Sequence, residues 1–405
     1  MNREVDSPEK NAGVKSGLAL PQSLQPVTPG WRWKLKRLVS SFLGWAFHMQ
    51  GTAAKWPVNP QVILTNFNSR FTGISATIAN LAERHERRFE VVILGNSLPV
   101  STPWISRWRF VRFLWRRSER PVRIWHARRN SEMLMGLLAK HLLRMRLELV
   151  FTTVALRRHS LIPRLLISSM DAIIATTEEA ASFVDRCDAI VPHGVDTKRF
   201  TPPADKQQCW QQSGLPGKYG IGIFGRVRPE KGTDLFVEAM CRLLPQCPEF
   251  TAIIAGRCKR KDEPFKESLV EKLAAAGIED RVVWLGEVPS EERHLWFQRI
   301  CVCVAPSRYE GFGLTPLEAM ASGAAVVTTR TGIYPTLIEE GKTGHVVEIG
   351  DLDGLSAALA RCMADPAATL RMGRNGHGHV QRNYDIGHEA AGIEAVYQRI
   401  LNGRD

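Results

Sequence analysis

The run Cys301-Val-Cys-Val-Ala305, followed by Glu310-Gly-Phe-Gly-Leu-Thr-Pro-Leu-Glu318, decides the fold. The first piece is short, apolar and valine-rich, as a strand buried on both faces must be. The two glycines after it let backbone approach a ligand closely, and a helix is expected to open at Thr315-Pro316. Free N–H groups and the positive end of the helix dipole make such a junction an anion site. A purely structural reading competes with this one. Thr315 and Glu318 fit a capping box, with Pro316 at the first helical position. Capping leaves Glu310 and the Gly-Phe-Gly approach without a reason.

The same alternation extends in both directions. After it comes an expected strand at 325–328, and helices are expected near 352–363 and 388–402. Before it lie strands at 221–224, 251–255 and 282–285, separated by helices near 233–244, 265–276 and 290–299. A second series occupies the first half, with strands near 62–65, 91–94, 124–125, 149–151 and 172–175 and a helix near 73–86. Strands alternating with helices imply doubly wound parallel sheets, in which ligands bind beyond the carboxyl ends of the strands. The fold class is therefore α/β, with one domain over 58–195 and a second over 218–385. The segment 196–217, with Pro202, Pro203 and Pro216, reads as a linker, and 386–405 as a C-terminal helix. Residues 1–57 read as a polar extension ending in a basic amphipathic stretch, Trp31–Trp45.

Three ordered motifs carry a resemblance: Pro192-His-Gly-Val-Asp196, Phe224-Gly225-Arg226 with Glu230-Lys231-Gly232, and the paired glutamates of 310–318. Over about residues 60–400 the chain resembles the large retaining glycosyltransferase family that contains bacterial mannosyl- and glucosyltransferases and sucrose synthases. The resemblance implies the GT-B architecture, two Rossmann-like domains facing a cleft, with the C-terminal helix packing back toward the first domain. Ile124-Trp-His-Ala-Arg-Arg-Asn130 and Phe151–Ser160 bring it nearest to mannosyltransferases of the lipopolysaccharide core.

The resemblance also implies roles. Glu318 is similar to the carboxylate that binds the nucleotide ribose, and Glu310 to the one that holds donor-sugar hydroxyls. Backbone of Gly311, Phe312, Gly313, Leu314 and Thr315 would face sugar and diphosphate. Arg226 and Lys231 would grip the diphosphate, so that fixed cations stabilise the charge developing on the leaving group and no metal or other cofactor is needed. His126, ending an expected strand, would approach the donor sugar from the first domain. Gly73 would let backbone near the diphosphate, although this chain has Thr72-Gly73 where the family has two adjacent glycines. The implied reaction is retaining hexosyl transfer, with GDP-mannose as donor and a lipid-linked lipopolysaccharide inner-core acceptor. UDP-glucose or another nucleotide sugar is the nearest alternative. From a different class, a non-catalytic anion- or lipid-binding protein stays open, because a fold proves no chemistry.

Composition bounds the rest. At 405 residues, with 44% hydrophobic and 23% charged, the chain is globular and long enough for two cores. A net charge of +13 calls for an anionic partner or surface. Trp104–Arg120 reads as a basic helix, whose Trp104, Trp108, Arg109, Arg112, Trp115, Arg116 and Arg117 suit an anionic membrane headgroup region. The alternatives are an aromatic stripe packed on its own domain, or nucleic acid, for which no binding module is present. Eight scattered cysteines without a C-x-x-C pair fit core filler in a reducing compartment. No apolar run approaches the roughly 18 residues of a membrane span, so the expected location is cytoplasmic and peripheral. Gly220-Ile-Gly-Ile-Phe-Gly225 matches a dinucleotide fingerprint. That motif must follow a strand, whereas here it is the strand, which argues against an NAD enzyme.

Overall fold

The computed structural model describes residues 60–69, 73–106 and 122–403. Two parallel sheets account for the strands. The first contains β1 (Val62–Asn66), β2 (Val91–Gly95), β3 (Trp104–Ile105), β4 (Arg123–Ala127), β5 (Leu147–Thr153), β6 (Ala172–Ala175) and β7 (Ala189–Ile190), in the order β3-β2-β1-β4-β5-β6-β7. The second contains β8 (Tyr219–Phe224), β9 (Phe250–Ala255), β10 (Val282–Gly286), β11 (Ile300–Ala305), β12 (Ala325–Thr329) and β13 (Gly344–Val347), in the order β10-β9-β8-β11-β12-β13. Each order reverses once, between β1 and β4 in the first sheet and between β8 and β11 in the second. Loops diverge at such a reversal, and a crevice opens beyond the strand ends.

The central strands are apolar on both faces because helices cover both. In the first lobe Ile63, Val92, Trp125 and Leu149 belong to one core, and Val62, Leu64, Ile93 and Ile124 to the other. The second lobe divides likewise, with Ile221, Ile254 and Val304 on one face and Phe224, Ile253 and Cys303 on the opposite one. Burial pushes the Cys301 thiol up to about 12, the behaviour of a thiol used as an apolar side chain.

Two chain segments tie the lobes together. Val195 N–H donates to Tyr384 O at 2.9 Å, and Ile386 N–H returns to Val195 O at 2.9 Å. The helix Ile386–Asn402 then packs on Gly73–His85 of the first lobe, adding Ile386, Ile393, Val396 and Tyr397 to that core. Its Glu394 accepts from His85 Nδ1 at 2.9 Å.

Several elements differ from the sequence reading. The segment 196–217 contains a helix, Lys206–Gln211, whose buried Trp210 joins the second lobe's core. Trp104 does not begin a helix; Trp104–Ile105 is an edge strand paired with Ile93–Leu94, with the indole 46% exposed. Helix Pro366–Asn383, which contains Gly373, Gly376 and Gly378, was not among the expected elements. It is stabilised by the Asp365 cap on Ala368 N–H and by packing on helix Leu314–Ala321.

Candidate active site

The motifs of the second lobe converge on its strand-order reversal. Arg226 follows β8 and is exposed. Lys231 ends the short turn Pro229–Lys231 after the same strand. Its ammonium is bonded to the carboxylate of Glu310, which lies on the loop after the neighbouring β11. Glu310 is further fixed by its backbone N–H, which donates to Thr331 Oγ1 at 3.2 Å.

The helix over Leu314–Ala321 starts earlier than a capping box at Thr315 would require. Its N-cap is Gly313, at φ 103°, and no side chain bonds the first turn. A Cβ on Gly313 would also lie 2.2 Å from the buried Tyr334 ring, so both conformation and space demand glycine. Thr315 is therefore inside the helix, and the capping interpretation fails. Glu318 instead faces Arg293, whose Nη1 lies 3.2 and 3.3 Å from its two oxygens. Burial raises the Glu318 carboxyl above its ordinary range, and Arg293 opposes that rise. Phe312 is buried, with its ring edge-on to His193 at 4.9 Å between centroids. Because His193 follows β7, this contact joins the lobes. A second approach lies beside it, where a Cβ on Gly311 would stand 3.0 Å from the Val154 carbonyl oxygen.

The first lobe presents its own reversal between β1 and β4, pinned by the Thr65 hydroxyl donating to His126 O at 2.9 Å. The His126 side chain is not turned into the cleft. It is fully buried, with Nδ1 2.5 Å from the Tyr397 hydroxyl and Nε2 2.7 Å from Thr152 Oγ1. Both ring nitrogens are thus engaged inside the lobe, and the expected direct contact with a donor sugar is not met by this arrangement. Burial first, then the charges of Arg128 and His85, hold its pKa well below the ordinary histidine range. Gly73 opens the helix Gly73–His85, and among the described residues nothing lies within 4 Å of its Cβ position. Of the seven membrane-contact candidates only Trp104 falls within the described residues; Trp108, Arg109, Arg112, Trp115, Arg116 and Arg117 lie outside them.

Comparison with known proteins agrees with this geometry. The profile of "Glycosyl transferases group 1" matches residues 206–379. A lipopolysaccharide core biosynthesis mannosyltransferase, LpcC of Rhizobium leguminosarum bv. viciae, is 44% identical over 343 residues, covering 84% of this chain and 97% of the relative. The corresponding protein LpsB of Rhizobium meliloti is 42% identical over 349 residues, covering 84% and 98%. This chain belongs to the group 1 glycosyltransferase family. Its fold matches sucrose-phosphate synthase from Thermosynechococcus elongatus, with a TM-score of 0.69 at 20% identity over 84% of this chain and 99% of that one. Anabaena HepE, solved with UDP and glucose, gives 0.70 at 18% over 84% and 100%. The GT-B architecture follows.

Some residues at this glycosyltransferase's cleft carry no local sequence signal. Glu389, on the C-terminal helix, accepts from His193 Nδ1 at 2.7 Å and from Gly194 N–H at 2.8 Å. These partners are separated by nearly 200 positions in the chain, and only folding brings them together. Glu132 is similar in kind: it accepts from Phe67 N–H at 3.1 Å, Arg128 N–H at 2.8 Å and Arg129 Nη1 at 2.7 Å. One carboxylate thus fastens the loops that follow β1 and β4.

Proposed function

We propose that this glycosyltransferase moves mannose from GDP-mannose, with retention at the anomeric carbon, onto a lipopolysaccharide inner-core acceptor. The observation that carries the reading is the Lys231–Glu310 pair beside the uncapped start of helix Leu314–Ala321. A cation, a carboxylate and free backbone N–H groups in one crevice suit a sugar diphosphate. The carboxylate accepts sugar hydroxyls, while cation and amides receive phosphate oxygens. Arg226 adds a second cation to the same loop. Fixed positive charge favours the state in which the diphosphate departs, so side chains can supply leaving-group stabilisation without a metal or other cofactor. Retention requires leaving group and acceptor to meet on one face of the sugar. The names of the Rhizobium relatives support mannose and the lipopolysaccharide core.

The acceptor reading includes a membrane. No helix among the described residues is long and apolar enough to cross one. The first lobe nevertheless exposes Leu142, Leu161 and Ile162 by 70–73%, with Leu134, Leu138, Leu143 and Leu165 exposed nearby in sequence. Helices Asn130–Leu137 and Leu161–Ser168 pack side by side. Exposed Arg144, Arg146, Arg157 and Arg158 flank these segments. Such a surface suits peripheral docking on the anionic cytoplasmic face of the inner membrane. Donor identity is tested by incubating purified protein with GDP-mannose, UDP-glucose and other nucleotide sugars, with rough-type core oligosaccharide as acceptor. Product formation and anomeric configuration are read by mass spectrometry and NMR. Transfer from UDP-glucose alone would overturn the mannose assignment, and absence of transfer or donor hydrolysis with every donor would favour a binding protein.

A further inference from the structure

Arg128 is the first residue beyond β4, on the first lobe's side of the crevice. It is 8% exposed, and Nε, Nη1 and Nη2 are each buried without a hydrogen-bond partner. A guanidinium carries five N–H donors and stays protonated in proteins, so it cannot relieve burial by losing a proton as a lysine can. Its surroundings do not satisfy it. Tyr397, Glu389 and Glu132 are the groups whose charge favours the guanidinium. The Tyr397 hydroxyl is taken by His126. Glu389 is held by His193 and Gly194, and Glu132 by Phe67, Arg129 and the backbone of Arg128 itself. Both carboxylates are therefore matched by other donors, so the fork of Arg128 has no partner among the described residues of the lobe and, being closed to solvent, meets an entering group only if the loop beyond β4 shifts to admit it.

A planar fork of this kind fits a carboxylate or phosphate bidentately. The donor diphosphate has its own cations, Arg226 and Lys231, on the opposite lobe. We propose that Arg128 binds an anionic group, carboxylate or phosphate, on the acceptor saccharide and so selects a charged acceptor. This rests on the glycosyl-transfer reading above and adds a specificity residue to it. Glu389, whose charge favours the Arg128 guanidinium, begins a chain of contacts into the second lobe. Glu389 holds His193, and the His193 ring meets Phe312 of the donor motif. An acceptor anchored at Arg128 would accordingly be held beside the loop that receives the donor sugar.

The test uses full-length protein and three forms of core oligosaccharide: untreated, dephosphorylated, and carboxyl-reduced. Wild type should lose at least tenfold in kcat/KM on whichever treatment removes the partner of Arg128. R128Q should lose a similar factor on untreated acceptor, chiefly through KM, and show no additional loss on that treated form. R128K, which keeps the charge but not the fork, should fall between them. Nucleoside diphosphate affinity and melting temperature are measured on each variant. The proposal expects the affinity unchanged and R128Q melting no lower than wild type, since the substitution removes a buried charge without partners. Equal wild-type rates on all three acceptors, or a normal acceptor KM in R128Q, would overturn it. So would lowered melting of both R128Q and R128K, the mark of a merely structural cation. A wild type that transfers well without discriminating sinks only the role of Arg128, whereas one that neither transfers nor hydrolyses any donor sinks the transferase reading itself.

Discussion

The ammonium of Lys231 is bonded to the carboxylate of Glu310, so an ion pair joins the loops leaving β8 and β11 where the strand order of the second sheet reverses. A sugar diphosphate presents hydroxyls and phosphate oxygens on neighbouring atoms, and the pair offers a carboxylate and a cation with the same adjacency. Both side chains are about four-fifths buried, which strengthens their fields relative to water.

Separate substitutions should distinguish the two glutamates. E310Q is expected to lower turnover at least 100-fold while nucleoside diphosphate affinity stays within about threefold, because its partner is the sugar. E318Q removes a buried carboxylate and leaves Arg293 without its ion pair. The loss of a charge-assisted hydrogen bond is worth about 1.5–3 kcal/mol, or roughly 10- to 150-fold in nucleotide affinity. Calorimetry on both variants decides, and equal behaviour would refute this division of roles.

Arg226 and Lys231 should act together on the leaving group. The double variant R226A/K231A is expected to lose activity by about three orders of magnitude, since removing one preorganised electrostatic donor typically costs 100- to 1,000-fold. Excess magnesium should not restore it. Full rescue in a magnesium titration would mean that a metal can take over the task assigned to these side chains.

His126 should report on folding. Replacing it by alanine strands the Tyr397 and Thr152 hydroxyls in a buried site, at a cost on the order of 2–5 kcal/mol in urea unfolding. The pH dependence has a definite sign. The folded imidazole stays neutral well below the ordinary value near 6.5, whereas the unfolded chain takes up a proton there. Stability present above about pH 6.5 is therefore lost as the pH falls, by up to about 1.4 kcal/mol per unit from this residue. H126Q should show the shallower slope between pH 7 and 5; identical slopes would remove the buried neutral imidazole from the account.

The fold was legible because central strands such as Cys301–Ala305 are apolar on both faces and the loops after them are rich in glycine. Arg226, Lys231 and Glu310 were singled out by the family resemblance, and the structure brings Lys231 and Glu310 together beyond two expected strand ends. What remained hidden depended on distant partners. Glu389 acquires meaning only when the C-terminal helix is brought against the loop of His193. The resemblance assigned the His126 imidazole to the donor sugar, whereas its bond to Tyr397, 271 positions away, is visible only in the fold. Likewise, the exposed leucines of 134–165 cannot be told from core leucines until the helices that carry them are placed.

Membrane docking separates two sources of attraction. The exposed apolar side chains Leu161, Ile162 and Leu165 should contribute a salt-insensitive part, since burying a CH₂ group is worth about 0.8 kcal/mol regardless of ionic strength. The arginines should contribute a screened part that decays over a Debye length of about 8 Å at physiological salt. Sedimentation with vesicles of mixed phosphatidylglycerol and phosphatidylethanolamine can resolve the two. The triple variant L161S/I162S/L165S is expected to bind at least tenfold more weakly at both 0.05 and 0.5 M salt. R157E/R158E should lose binding mainly at low salt, where each cation near an anionic surface is worth about 1 kcal/mol. R109E/R112E/R116E/R117E tests whether the neighbouring basic segment shares the task, and it too should act mainly at low salt. Nucleoside diphosphate affinity in solution should survive all three changes, because none alters the second lobe. Wild-type protein that ignores anionic vesicles at low salt would end the docking proposal, and undiminished binding by the serine variant would move the docking surface away from these helices.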